Sequence, residues 1–132
     1  STNRTTFTQT IQQGVVMTRH IPNTFEEEFA IPKGLSKIGL KVARAIRSYA
    51  KKRNLRSYGN TTFYSTQQWK DRKEDYGTES ELVIVHDGGD IARFFNYAYG
   101  DYTEIERMNK LLKKYGVYFE GCTCWYSAIY KL

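Results

Sequence analysis

The sequence LVIVHDGGD occupies residues 82–90, and its first four residues form a continuous apolar run. A short aliphatic run bounded by turn residues is typical of a central strand buried on both faces. The Asp-Gly and Gly-Gly pairs that follow predict a tight turn. Asp90 is then predicted to cap a short helix over residues 91–99, which Gly100 ends.

Helical and strand patterns continue toward the C-terminus. The residues at 105, 108, 111, 112 and 115 form an apolar face, so a helix is predicted over 104–115, with Thr103 and Glu106 as its capping box. Lys110, Lys113 and Lys114 favour the end of this helix, where the helix dipole attracts cations. A last strand is predicted over 117–130, and Gly121 could bend it.

Toward the N-terminus, the most regular pattern predicts a helix over residues 35–53. Its apolar stripe consists of Leu35, Ile38, Val42, Ile46 and Tyr49. The other predicted elements on this side are a strand over 11–21, a capped helical turn around 24–28, a strand over 59–70 and a charged loop over 71–81. Together these elements predict an α+β fold in the order β-α-β-β-α-α-β. A mixed or antiparallel sheet of about four strands is packed by two main helices, in one domain over 11–132 after a flexible lead over 1–10.

Composition excludes several classes of protein. The chain has 132 residues, of which 40% are hydrophobic, as in a folded globule. No apolar run approaches the length of a membrane span, and residues 1–10 show no apolar core of a secretory signal. Two cysteines are too few for a disulfide scaffold. We therefore expect a cytoplasmic protein that is not held in a membrane.

The positive charge is concentrated in one part of the chain. The formal net charge is +6, yet residues 29–70 contain no Asp or Glu and ten cations. These cations are Lys33, Lys37, Lys41, Arg44, Arg47, Lys51, Lys52, Arg53, Arg56 and Lys70. At 100° per residue, most of those in the predicted helix fall opposite its apolar stripe. Three explanations remain open: an anionic partner, acidic residues elsewhere in the fold, and simple solvation.

The HDGGD stretch is the first candidate for chemistry. His86, Asp87 and Asp90 follow a buried strand and have the donor atoms to hold a metal or to serve in acid–base catalysis. A hydrolase of this kind needs further histidines, and the sequence has only one other, His20. The simpler interpretation is a tight turn followed by a helix cap, so no metal and no cofactor is predicted.

The two cysteines are the second candidate. Cys122 and Cys124 could provide two zinc ligands completed by His20 and His86, or one could act as a nucleophile beside His86. The favoured interpretation is that both are small buried strand residues that pack under Trp125.

Aromatic residues crowd the C-terminal part of the chain. Most are expected in the core, whereas Tyr97, Tyr99 and Tyr102 are predicted to form a partner surface. Exposed rings beside a cationic groove would suit the stacking of single-stranded bases.

The C-terminal third resembles small uncharacterised accessory proteins of tailed phages. The resemblance is carried by HDGGD at 86–90, Asn96-Tyr97 and the sequence CTCWYSAIY at 122–130. It implies a phage or mobile-element protein that acts in the cytoplasm of a bacterial host, and it implies no catalytic residues. Residues 29–70 lie outside it.

The sequence therefore favours a non-enzymatic protein that binds nucleic acid or a nucleoprotein complex through the basic helix. Two alternatives stay open: an anti-CRISPR or anti-restriction inhibitor that docks on an acidic host protein, and a small metal-dependent hydrolase that uses the HDGGD loop. The predicted binding residues are Lys33, Lys37, Lys41, Arg44, Arg47, Lys51, Lys52, Arg53, Arg56, Tyr97, Tyr99 and Tyr102. The oligomeric state does not follow from the sequence.

Overall fold

The structure is a computed structural model that describes residues 5–10 and 16–132, with side chains from residue 21 onward. Its first feature is a two-stranded antiparallel hairpin of β1 (Thr5–Thr10) and β2 (Val16–Ile21), in which Thr5 lies opposite Ile21. Strand β2 confirms part of the predicted strand, whose residues 11–15 lie outside the described ones. Strand β1 was not predicted. It lies within the expected flexible lead, where threonines favour extended backbone despite their polarity.

A four-stranded antiparallel sheet forms the centre of the α+β fold. It consists of β3 (Phe63–Tyr64), β4 (Leu82–Val85), β5 (Val117–Gly121) and β6 (Tyr126–Lys131), in the order β3-β4-β6-β5. The predicted strand over 117–130 is wrong as a single strand. The chain turns back after Gly121, so that β5 and β6 pair with each other and Phe119 lies opposite Ile129.

The central strand confirms the prediction made from its apolar run. All four side chains of β4 are buried. Leu82 and Ile84 belong to a hydrophobic cluster on one face of the sheet, and Val83 and Val85 belong to a second cluster with Trp69 and Tyr126. Because successive side chains point to opposite faces of a sheet, one short strand contributes to both clusters.

Five α-helices are described: α1 (Phe25–Glu28), α2 (Lys37–Lys52), α3 (Thr66–Asp71), α4 (Ala92–Phe95) and α5 (Tyr102–Lys113). Helix α2 begins after Ser36, whose hydroxyl accepts a hydrogen bond from the Gly39 N–H, and it ends before Asn54 with its φ of 57°. The predicted helix and its left-handed exit are therefore confirmed within two residues. The stripe through Val42 and Ile46 packs into the first cluster with Phe94 and Met108.

Three local predictions are wrong. Most of the predicted strand over 59–70 is not a strand, because Ser65 and Gln68 form a reciprocal capping box that starts α3. The predicted helix over 91–99 is divided into α4 and a 3-10 turn, because Asn96 is extended and its side chain accepts from the Ala98 N–H. Helix α5 starts earlier than predicted, because Asp101 rather than Thr103 caps it by accepting from the Glu104 N–H, so the predicted Thr103–Glu106 capping box is wrong.

Candidate functional site

The exposed side of α2 carries most of the cations that the sequence singled out. Val42, Ala43 and Ile46 are buried on the opposite side of the helix, which confirms the predicted phasing. Arg47 is half-buried, and the others are exposed. We call this surface the basic face; it comprises Lys37, Lys41, Arg44, Arg47, Lys51 and Lys52 of α2, together with Lys33, which lies just before the helix and lines the same hollow as Arg44 and Arg47.

The basic face has no neutralising partner within the described residues. None of its seven side chains forms an ion pair with a carboxylate of the described chain. Glu26 lines the same hollow as Arg47 and Lys51, but it forms no ion pair with either of them. Like charges at helical spacings repel each other, so an anion at this surface would relieve that repulsion.

Two predicted binding residues have a structural role instead. Arg53 pairs with Glu104, with 2.8 Å between Nη2 and Oε2, and its guanidinium lies 5.3 Å from the ring centroids of Tyr49 and Phe94. Arg56 pairs with the buried carboxylate of Glu28. For these two cations, acidic residues elsewhere in the fold are the correct explanation. Both partners are far away in the sequence, so the helix pattern could not reveal them.

A groove of about 460 Å³ lies between the basic face and α5. Helix α2 contributes cations, a hydroxyl and a ring to this groove, whereas the last part of α5 and the turn after it contribute Leu111 and Tyr115. The full lining is Lys41, Arg44, Ala45, Ser48, Tyr49, Lys52, Leu111 and Tyr115. A second hollow of about 490 Å³, on the other side of Arg44, is lined by Lys33 and Arg47 among others.

The sequence missed the part of this groove that α5 contributes. Tyr115 was assigned to the apolar core face of its helix, yet 37% of it is exposed. Its position three residues after the buried Leu112, just before Gly116, was a usable signal. A residue at the end of a helix often leaves the core, because the chain turns away there.

The three predicted surface tyrosines are indeed exposed. Tyr97, Tyr99 and Tyr102 are 57%, 56% and 64% exposed. The Tyr97 ring packs against Phe119, with 6.2 Å between ring centroids, and against Tyr102 at 6.5 Å. Tyr102 begins α5, and Tyr97 and Tyr99 lie in the 3-10 turn before it. All three are thus at the opposite end of α5 from Tyr115, and none of them lines the groove.

The HDGGD residues serve the fold rather than a common site. His86 is buried, its Nε2 lies 3.0 Å from the Ser127 hydroxyl, and its ring stacks on Phe95. Burial lowers the pKa of His86 to about 4, so the ring is neutral at ordinary pH. The Asp87 side chain is exposed.

The predicted cap at Asp90 is wrong. Helix α4 has Ile91 at its N-cap position without a side-chain hydrogen bond. The carboxylate of Asp90 instead accepts from the Arg56 N–H at 2.8 Å and from the Tyr58 hydroxyl at 3.1 Å. A Cβ on Gly89 would lie 3.0 Å from the Cα of Ser57, so the glycine allows these two segments to approach. The loop over residues 86–90 therefore holds the segment 56–58, which follows α2, in place.

The prediction that both cysteines are buried strand residues is wrong, because Cys122 and Cys124 lie in the turn between β5 and β6 and Cys124 is exposed. The zinc and nucleophile hypotheses gain no support from the geometry. Both thiols are free, and burial raises the pKa of Cys122 to about 11, so this thiol is a poor nucleophile near neutral pH. Among the described residues, no three His, Cys, Asp or Glu side chains are grouped as metal ligands would be. The His20 side chain lies outside the described ones.

Compared with protein-family models, with curated proteins and with solved structures, the chain matches none of them. Within the described part of the chain, every helix is too short or too polar to cross a membrane.

Proposed function

We propose that this chain is a non-enzymatic protein that binds nucleic acid through the basic face of α2. One observation carries the proposal: seven cations share one surface, and no carboxylate of the described chain pairs with any of them. A nucleic acid backbone supplies a row of negative charges, and its binding releases condensed counterions.

The arrangement favours recognition of the phosphate backbone over the reading of a base sequence. The exposed side of α2 presents mainly Lys and Arg, whereas base edges are also read by Asn and Gln, which this face lacks. The affinity is therefore expected to depend steeply on salt and little on sequence. From the resemblance to phage accessory proteins, we further propose a bacterial cytoplasm as the place of action.

A charge-reversal experiment tests the proposal. The triple variant Lys37→Glu, Lys41→Glu, Arg44→Glu is compared with the control Lys110→Glu, Lys113→Glu, Lys131→Glu. Both variants have the same net charge, and the three control residues are exposed. By helical spacing, Lys110 and Lys113 lie on the side of α5 away from Leu111 and Tyr115.

Binding to random-sequence DNA and RNA is measured by fluorescence anisotropy at several salt concentrations. The basic-face variant is expected to lose binding and to keep its thermal transition, while the control keeps both. For duplex DNA, the loss of three phosphate contacts lowers the slope of log K against log salt by roughly 2 to 3. If the native chain shows no salt-dependent binding to either nucleic acid, the proposal is wrong and an acidic protein partner is favoured.

A further inference from the structure

The groove between α2 and α5 combines two different chemistries. Lys41, Arg44 and Lys52 line it from α2, and Leu111 and Tyr115 line it from the other side. Leu111 also packs against the core, so the exposed ring of Tyr115 is the apolar group that this side offers to a ligand. A surface that bound only apolar groups would not carry three cations that form no ion pair within the described residues. The groove is therefore suited to a ligand with charged and flat apolar parts close together.

The two tyrosines of the groove differ in their freedom. Tyr49 packs edge-on against Phe94, with 5.6 Å between ring centroids, and its hydroxyl accepts a hydrogen bond from Arg53. Tyr115 packs against no other ring in the described part of the chain, and it is 37% exposed. Tyr49 is thus fixed by the fold, whereas the ring of Tyr115 is available to a ligand.

From this groove we infer that the nucleic acid bound is single-stranded, with its phosphates on Lys41, Arg44 and Lys52 and a base stacked on Tyr115. The inference rests on the proposed nucleic-acid binding and names its substrate class. A duplex keeps the faces of its bases inside the stack, so it would leave the exposed ring of Tyr115 without a contact, whereas Leu111 already packs against the core. A single strand exposes those faces, and the stacking of bases on aromatic rings beside a cationic groove is a common way to bind it.

The first test compares two forms of nucleic acid. Labelled single-stranded and duplex oligonucleotides with equal numbers of phosphates are titrated with the native chain at the same salt concentration. The single strand is expected to bind at least tenfold more tightly. Equal affinity, or a preference for the duplex, would overturn the inference and leave the proposed nucleic-acid binding intact.

The second test isolates the stacking contact. Tyr115→Ser is expected to weaken single-strand binding about tenfold and to leave the salt slope unchanged, because no charge is removed. Tyr115→Phe should keep the native affinity. Tyr76→Ser is the matched control, since Tyr76 is also exposed and does not line the groove. Native single-strand affinity in folded Tyr115→Ser would contradict the inference.

The third test asks which side of α2 holds the strand. Lys41→Gln with Lys52→Gln removes two charges from the groove, and Arg47→Gln with Lys51→Gln removes two from the other side of the helix. The double variant at positions 41 and 52 should reduce single-strand affinity several-fold more than the double variant at positions 47 and 51. An equal or reversed effect on affinity would show that the single strand does not bind in the groove. A chain that binds neither single strands nor duplexes would contradict both the inference and the proposed function.

Discussion

The carboxylate of Glu28 is buried beneath the guanidinium of Arg56. Two parallel hydrogen bonds join them, from Nε to Oε1 at 2.8 Å and from Nη2 to Oε2 at 2.9 Å. The N–H groups of Ser57 and Gly59 donate to the same carboxylate at 2.8 and 3.1 Å. This buried charge therefore fixes the segment that follows α2 to α1.

Glu28→Gln is expected to destabilise the protein by about 1 to 3 kcal/mol, because it turns an amide NH₂ toward N–H donors, while the partly exposed guanidinium of Arg56 can be solvated. Glu26→Gln is the control, because Glu26 lies two residues earlier in α1 and is exposed, and this variant should stay within about 0.5 kcal/mol of the native chain. Urea denaturation measures both. Equal urea midpoints for the two variants would show that the Glu28–Arg56 pair contributes nothing to stability.

Gly39→Ala is expected to destabilise the protein, although alanine is normally the better helix former. A Cβ at this position would overlap the carbonyl oxygen of Glu81, where α2 meets the chain just before β4. Forcing these elements apart should cost about 1 to 3 kcal/mol.

Ser48→Ala is the matched substitution at an exposed position of the same helix, and it should be neutral or slightly stabilising. Thermal melts of both variants decide the matter. An alanine at position 39 that raises the melting temperature would mean that α2 does not approach Glu81 so closely.

Asp90→Asn and Asp90→Ala should differ in stability. Both hydrogen bonds of Asp90 end on Oδ2, so the single carbonyl oxygen of asparagine can accept them and the cost should be below about 1 kcal/mol. Alanine leaves the Arg56 N–H without its partner and should cost about 1 to 3 kcal/mol. Asp87→Ala serves as the control in denaturant titrations, since the Asp87 side chain is exposed. An asparagine variant as unstable as the alanine variant would mean that the negative charge itself is needed.

His86 should make the protein less stable as the pH falls. Burial holds the pKa of His86 at about 4, below its ordinary value of 6.5, so the unfolded chain binds this proton first. Stability is then lost progressively between pH 6.5 and 4, by about 3 kcal/mol in total.

His86→Gln can still hydrogen-bond to Ser127 and cannot titrate in this range. Its free energy of unfolding should therefore vary less with pH than that of the native chain between pH 6.5 and 4. The free energy of unfolding is measured by urea denaturation at each pH in this range. If it varies with pH equally in the two proteins, His86 is not the group responsible for the loss of stability.

The elements that the sequence predicted best are those whose signal is local. The apolar run of β4 and the stripe of α2 depend on residues three or four positions apart, and both are confirmed. The antiparallel return after Gly121 was missed because a bend and a hairpin share the same glycine signal. In the stretch over 59–70, strand propensity was given more weight than the Ser65–Gln68 capping box.

The candidate site was predictable only in part. The cations of α2 follow from helical periodicity, whereas Arg53 and Arg56 are removed from the site by Glu104 and Glu28, which no local pattern connects to them. The role of Asp90 depends on the close approach of Gly89 to Ser57, which is likewise a tertiary contact.

The absence of acidic residues from the basic face reflects a conflict between the stability of α2 and the binding of an anion at this surface. A glutamate placed four residues from a lysine of α2 would stabilise the helix by a few tenths of a kcal/mol. On the proposed function, the same glutamate would repel the phosphates that the face binds. Selection for binding would therefore remove mutations that introduce such a glutamate. The helix would remain less stable than it could be for as long as that selection lasts.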